Sequence, residues 1–278
     1  MVGRICIPEN LRGFLLDRHL MPAQVEVNKK TYTLIDPIKA GDKGAVWKVK
    51  DEFGRDRALK FTIVADYEDR SYLEEVTRAA KLEGYNEFAK LIDAGISNIL
   101  VDGKEERFVC FVEEWIEGET LEDYIETHKD KIGVSFLLCY VDFLARVLKA
   151  LKMNELCHDD LHGRNVMIAK PAKGSMRSEW TIKVIDMGSL KFSSQCKKEK
   201  DDHRNFVEHL VAIWNTIHHS RESLALRDRR FLKEAINLLN SMLDVDLGIA
   251  ALRDPDEIPK QFQLAYSRSN LQATSPLE

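Results

Sequence analysis

The sequence predicts an α+β protein, with strands in its first part and helices in the rest. Short β-branched and aromatic runs fill residues 25–62, and the wholly apolar Phe108-Val109-Cys110-Phe111-Val112 follows as a buried strand would. From residue 134 onward, apolar side chains recur at spacings of three and four through three long stretches. One polar stretch interrupts that half: Cys157-His158-Asp159-Asp160-Leu161-His162-Gly163-Arg164-Asn165, followed downstream by Ile185-Asp186-Met187-Gly188.

Bulk properties narrow the class. At 278 residues the chain is long enough for one large domain or two small lobes. Apolar residues at 44% and charged residues at 31% fit a soluble globular protein. A formal net charge of −5 argues against a general nucleic-acid binder, which presents a basic face. The five cysteines (Cys6, Cys110, Cys139, Cys157, Cys196) show no CxxC pair or metal-ligand spacing, which suits buried reduced thiols better than a disulfide framework. No apolar run reaches the length of a membrane span, and the first residues lack a signal pattern. A cytoplasmic location without a membrane partner is therefore expected. Oligomeric state leaves no signature.

Taken in order, residues 9–20 place Leu11, Phe14, Leu15 and Leu20 at helical spacing, with Asn10 as cap and Pro22 as terminator. Strands are expected at 32–35, 45–49 and 57–61. Between the first two lie Gly41 and Gly44, which would let backbone N–H groups approach phosphates; ordinary hairpin turns use such glycines too. Lys60, on the Ala58-Leu59-Lys60-Phe61 strand, reads either as an edge lysine reaching solvent or as a phosphate ligand needing a carboxylate partner. Residues 68–83 form a helix with Leu73, Val76, Ala79, Ala80 and Leu82 inward, and Glu75 borders that face better than Glu74. Strands at 89–95 and 107–113 lead to Glu113–Gly118, a candidate hinge. Helices follow at 134–153, 202–219 and 229–243, with a hairpin at 166–168 and 182–185, and the tail from about Gln263 is polar and loose.

Phosphoryl transfer to a hydroxyl needs a carboxylate at the nucleophile and hard oxygen donors for Mg²⁺. Asp160, Asn165 and Asp186 supply such groups. With Gly41 and Gly44, Lys60 and Glu75 ahead of them, the chain resembles the protein kinase-like superfamily over about residues 31–245. The resemblance implies a bilobal protein kinase-like fold, a β-rich N-lobe over 31–116 and a mainly helical C-lobe over 117–262, between a helical extension over 1–30 and a flexible tail over 263–278 that the sequence itself suggests. It places ATP between the lobes. It implies that Asp160 takes or orients the substrate proton, that Asn165 and Asp186 hold Mg²⁺, and that Lys60, held by Glu75, contacts the α/β phosphates beneath the 41–44 loop. Glu114 carbonyl and Ile116 N–H would meet the adenine edge, and Val46, Ala58 and Met167 would sandwich the ring.

Departures from the family pattern are informative. Lys39 stands at the first glycine of the loop, and Met187 replaces the phenylalanine after the second aspartate. Asp159 replaces an arginine that normally pairs with an activating phosphate, which an aspartate would repel. Only residues 187–201 separate Asp186 from Asp202, which resembles the aspartate opening the large lobe's central helix, and no Ala-Pro-Glu motif occurs. Both changes predict independence from activation-loop phosphorylation. His162, two residues past Asp160, resembles the pattern of haspin-like kinases and of aminoglycoside and choline kinases; it would donate to the γ-phosphate or simply brace its loop. The expected function is a Mg·ATP-dependent serine/threonine protein kinase. The alternatives are a small-molecule kinase acting on a hydroxylated metabolite and a nucleotide-binding pseudokinase.

Overall fold

The computed structural model describes residues 9–40, 44–63, 71–101, 103–170, 180–196, 202–219, 224–243 and 254–274. The chain divides into two compact units, Met1–Glu83 with Ala89–Ile116, and Gly84–Phe88 with Glu117–Glu278.

The first unit holds α1 (Glu9–Leu16), β1 (Gln24–Val27), β2 (Lys30–Ala40), β3 (Gly44–Lys50), β4 (Asp56–Ile63), α2 (Ser71–Ala80), β5 (Leu91–Val101) and β6 (Lys104–Glu114). The strands form one antiparallel sheet in the order β1-β2-β3-β4-β6-β5. Asn28 and Lys29, both at positive φ, join β1 to β2 in the two-residue turn that matches strand twist. Alternation decides the faces. Ala45, Trp47, Val49, Leu59, Phe61, Phe108, Cys110 and Val112 point into one dry core. Helix α1 closes that core with Leu11, Phe14 and Leu15, and the Trp47 indole N–H donates to the Leu15 carbonyl at 2.7 Å. Leu20 lies beyond this helix and is 53% exposed, so it is not part of the inward stripe expected for it. At the far edges Asp93 accepts from Asn28 (3.1 Å) and Tyr32 (3.2 Å) and pairs with Lys30 (3.0 Å), drawing β5 toward the β1–β2 turn.

The second unit holds β7 (Gly118–Thr120), α3 (Leu121–Thr127), α4 (Val134–Met153), β8 (Leu156–Cys157), β9 (Val166–Ala169), β10 (Thr181–Val184), β11 (Lys191–Phe192), α5 (Asp202–His219), α6 (Leu226–Leu243) and α7 (Glu257–Thr274). Helix α4 is buried on most sides through Phe136, Leu137, Tyr140, Val141, Phe143, Leu144 and Val147, so its turns are held by packing more than by propensity. Residues Gly84–Phe88 belong here: Val184 N–H donates to Glu87 O at 2.8 Å, and Arg146 pairs with Glu87 at 2.6 Å.

Three further expectations need correction. The tail is not loose through residue 274. Ile258, Phe262, Ala265 and Ser269 follow one another at spacings of four, three and four, and all are buried on one face of α7, with few enough large apolar residues that the stripe reads as polar. The cysteines are not all reduced thiols, because Cys157 and Cys196 form a disulfide with Cα atoms 6.4 Å apart, within the usual range. In α2, Leu73 is 49% exposed and Ala80 is also outside, while Ala79 and, in the turn just after the helix, Leu82 are buried. The inward face of that helix is narrower than its apolar composition suggests.

Candidate active site

In the first unit the sheet register brings three of the expected residues onto one face. Val46 lies opposite Lys60, and Ala58 is two residues before Lys60 on the same strand. All three are half-buried, on the face opposite the dry core. Lys60 occupies a central strand, flanked by Val46 on β3 and Phe111 on β6, which rules out its reading as an edge lysine. Gly44 opens β3 so close to β4 that any side chain there would collide with the Phe61 carbonyl. A glycine is therefore required by strand pairing alone. Gly41 lies outside the described residues. On α2, Glu75 is half-buried, whereas Glu74 is exposed and pairs with Arg78 at 3.3 Å. Glu114 ends β6, its N–H donating to Lys90 O at 2.8 Å, and Ile116 lies in the irregular stretch after it. The Lys48 ammonium sits 4.7 Å from the centre of the Trp115 ring.

In the second unit a web of backbone and side-chain bonds gathers the other candidates. The Asn165 amide N–H donates to the Asp160 carbonyl at 2.9 Å, and the Asn165 carbonyl accepts from Ile185 N–H at 2.8 Å. The wholly buried His158 ring lies 3.1 Å, through Nε2, from the Ile185 carbonyl. A carbonyl only accepts, so Nε2 carries the proton. Ile185 is thus held from both sides, and Asp186 follows it directly. Asp186 adopts a left-handed conformation (φ 62°), as does Asp159 (φ 58°). Such conformations are uncommon outside glycine, and their clustering here is typical of functional loops. Met167 sits on β9 opposite Lys183 and Thr120, half-buried. Met187 is 2% exposed and fills an apolar site, as a phenylalanine would.

Asp202 anchors the loop from below. It is buried at the start of α5 and accepts from the backbone N–H of His158 (2.7 Å) and of Asp159 (3.3 Å). Its charge also faces the positive end of the helix dipole. Asp159 pairs with Lys191 on β11, so the position expected to repel a phosphate carries its own cation. His162 Nε2 lies 3.8 Å from Asp160 Oδ2, and its Nδ1 is buried without a hydrogen-bond partner among the described residues. Behind it, His209 is bonded to the Tyr140 hydroxyl at 2.7 Å. Burial first, and the nearby His162 second, push the His209 pKa down to about 4. Burial also raises the Tyr140 pKa, so the tyrosine O–H is the donor and His209 Nδ1 the acceptor.

Sequence reasoning missed Lys191, the His209–Tyr140 pair and the disulfide. An aspartate in place of an arginine was a signal for a compensating cation, but not for which lysine. Two cysteines separated by 39 residues give no signal at all.

A strand-rich unit followed by a helical one carrying an Asp–Asn–Asp loop is the α+β arrangement of the protein kinase-like superfamily. The family model described as protein tyrosine and serine/threonine kinase matches residues 34–217, more than half of the chain, and the protein belongs to that family. The family is one of phosphotransferases. No described helix is long and apolar enough to cross a membrane.

Proposed function

We propose that this protein is an active Mg·ATP-dependent kinase that phosphorylates serine or threonine on protein and needs no activation-loop phosphate. The observation that carries the reading is the bonding of Asp160, Asn165 and Asp186 into one rigid loop system through Asn165 and Ile185. In the proposed step an acceptor hydroxyl oxygen bonds to the γ-phosphorus as the bond to the β–γ bridging oxygen breaks and ADP leaves. The hydroxyl proton passes to the Asp160 carboxylate.

Asn165 and Asp186 fit a Mg²⁺ donor set. The Asn165 amide N–H is used on the loop, which turns the amide oxygen, the hard donor, the other way. These two side chains would hold the ion together with phosphate oxygens of the nucleotide. When bound, Mg²⁺ neutralises phosphate charge. Lys60 would contact the α/β phosphates, with Glu75 as its carboxylate partner. Val46 and Ala58 line the adenine, with Glu114 carbonyl and Ile116 N–H at its polar edge. His162 donates to the γ-phosphate.

Independence from an activating phosphate is supported by the Asp159–Lys191 pair, which joins the loop to the following segment with charges the chain itself carries. A second reading, a kinase of small hydroxylated molecules, is favoured by the short 187–201 segment, where peptide docking would occur. Labelled ATP and Mg²⁺ with the purified protein and a generic protein acceptor discriminate the readings. Phosphoserine or phosphothreonine, at a rate unchanged by prior phosphatase treatment, is expected. Transfer only to small hydroxylated compounds would move the assignment to the second reading, and nucleotide binding without transfer would make the chain a pseudokinase.

A further inference from the structure

The disulfide lies where the segment after Asp186 meets the catalytic loop. Strand β8 pairs with β11 through Leu156–Phe192 and Cys157–Lys191, and Ser193 N–H donates to Glu155 O at 2.8 Å. Cys157 directly precedes His158, whose ring and N–H hold Ile185 and Asp202. Cys196 follows the short turn Ser193–Gln195 that leaves β11. Both cysteines are half-buried, within reach of small thiols. A two-residue strand pair is marginal by itself, and the Asp159–Lys191 ion pair and the covalent bond add to its attachment.

We propose that Cys157–Cys196 is a reversible redox latch: the bond holds the 187–196 segment against the catalytic loop, and its reduction releases the segment and lowers phosphoryl transfer. This rests on the kinase reading for its activity readout only. Opening needs a dithiol reductant. One reductant thiolate attacks a cysteine sulfur, the protein S–S bond breaks, and the second reductant thiol closes the reductant's own disulfide. Two electrons and two protons pass to the protein, leaving two thiols. A disulfide oxidant, such as oxidised dithiothreitol, reverses the exchange.

The full-length protein can be poised in mixtures of oxidised and reduced dithiothreitol and followed three ways: alkylation with peptide mass mapping, tryptic cleavage after Lys191, and phosphate transfer. Oxidised protein should yield the linked 157–196 peptides, resist cleavage and transfer fastest. Reduction should raise cleavage and lower transfer severalfold, and Cys196→Ser should behave like reduced wild type in either buffer. Absence of the linked peptides under oxidising conditions would overturn the proposal. So would cleavage and transfer that are identical in both buffers. Redox-dependent cleavage in a protein that never transfers phosphate would support the latch while counting against the kinase reading.

Discussion

The β3–β4 face of the first unit and the 157–165 loop of the second hold their functional side chains by different means. Val46, Ala58 and Lys60 share a face because strand register puts them there, and the buried layer behind them, Trp47, Leu59 and Phe61, fixes the register. The loop has no ladder to rely on. It is aimed by Asp202 beneath, Asn165 across, His158 and Ile185 at the side, and Lys191 and Cys196 from the next segment. In the proposed reaction an apolar slot for a planar ring tolerates the looser construction. A carboxylate that must meet one hydroxyl proton does not, because small misplacements of reacting groups are costly.

This contrast predicts that single substitutions behind the loop are more damaging than those behind the strand face. The largest effect is expected at Asp202. Asp202→Ala removes the acceptor of two backbone N–H groups, at about 1–3 kcal/mol each, so urea unfolding should show a loss of about 2–6 kcal/mol. Turnover should fall with it. Reduction of Cys157–Cys196 comes next: the loop it closes spans 39 residues, and its release should lower stability by up to about 4 kcal/mol on chain-entropy grounds. Thermal unfolding with and without a dithiol reductant measures this directly.

The third effect depends on pH. The His209 pKa lies at about 4 in the fold against 6.5 for an ordinary histidine. The unfolded chain therefore takes up the proton first as pH falls. The stability His209 contributes is fully present above pH 6.5, declines as pH drops toward 4, and levels off at a loss of about 3 kcal/mol. His209→Gln, which keeps an acceptor for Tyr140, should flatten that part of the stability–pH curve. The smallest effect concerns Asp159–Lys191. Asp159→Asn leaves a lysine that is 39% exposed and can be hydrated, and should cost about 1 kcal/mol. Lys191→Met strands a buried carboxylate and should cost more. Equal costs would mean that the pair does not fasten the segment.

Much of this was legible in the sequence. Helix α4 and helix α5 begin and end where their apolar spacing places them, because each carries a strong stripe of large residues. The strands β3, β4 and β6 were marked by β-branched and aromatic runs, although β5 and β6 extend farther than their apolar parts. The 157–165 loop stood out as a polar break between apolar runs, and the fold bonds Asn165 to the backbone of Asp160 and Ile185. Helix α7 was not, since it buries small and widely spaced residues such as Ala265 and Ser269. Nor were the partners of Asp159, Cys157 and Tyr140. Each is supplied by a residue dozens of positions away, and only the folded chain selects among several equivalent lysines, cysteines and histidines.

The central claim is that the Asp160 carboxylate performs the chemistry, while nucleotide binding depends on the first unit. Single-turnover transfer from saturating Mg·ATP, compared between wild type and Asp160→Asn, tests it most directly. Nucleotide affinity should be unchanged and the transfer rate should fall by about 10²–10⁴, the usual effect of losing a positioned base. Equal rates in the two proteins would contradict the account.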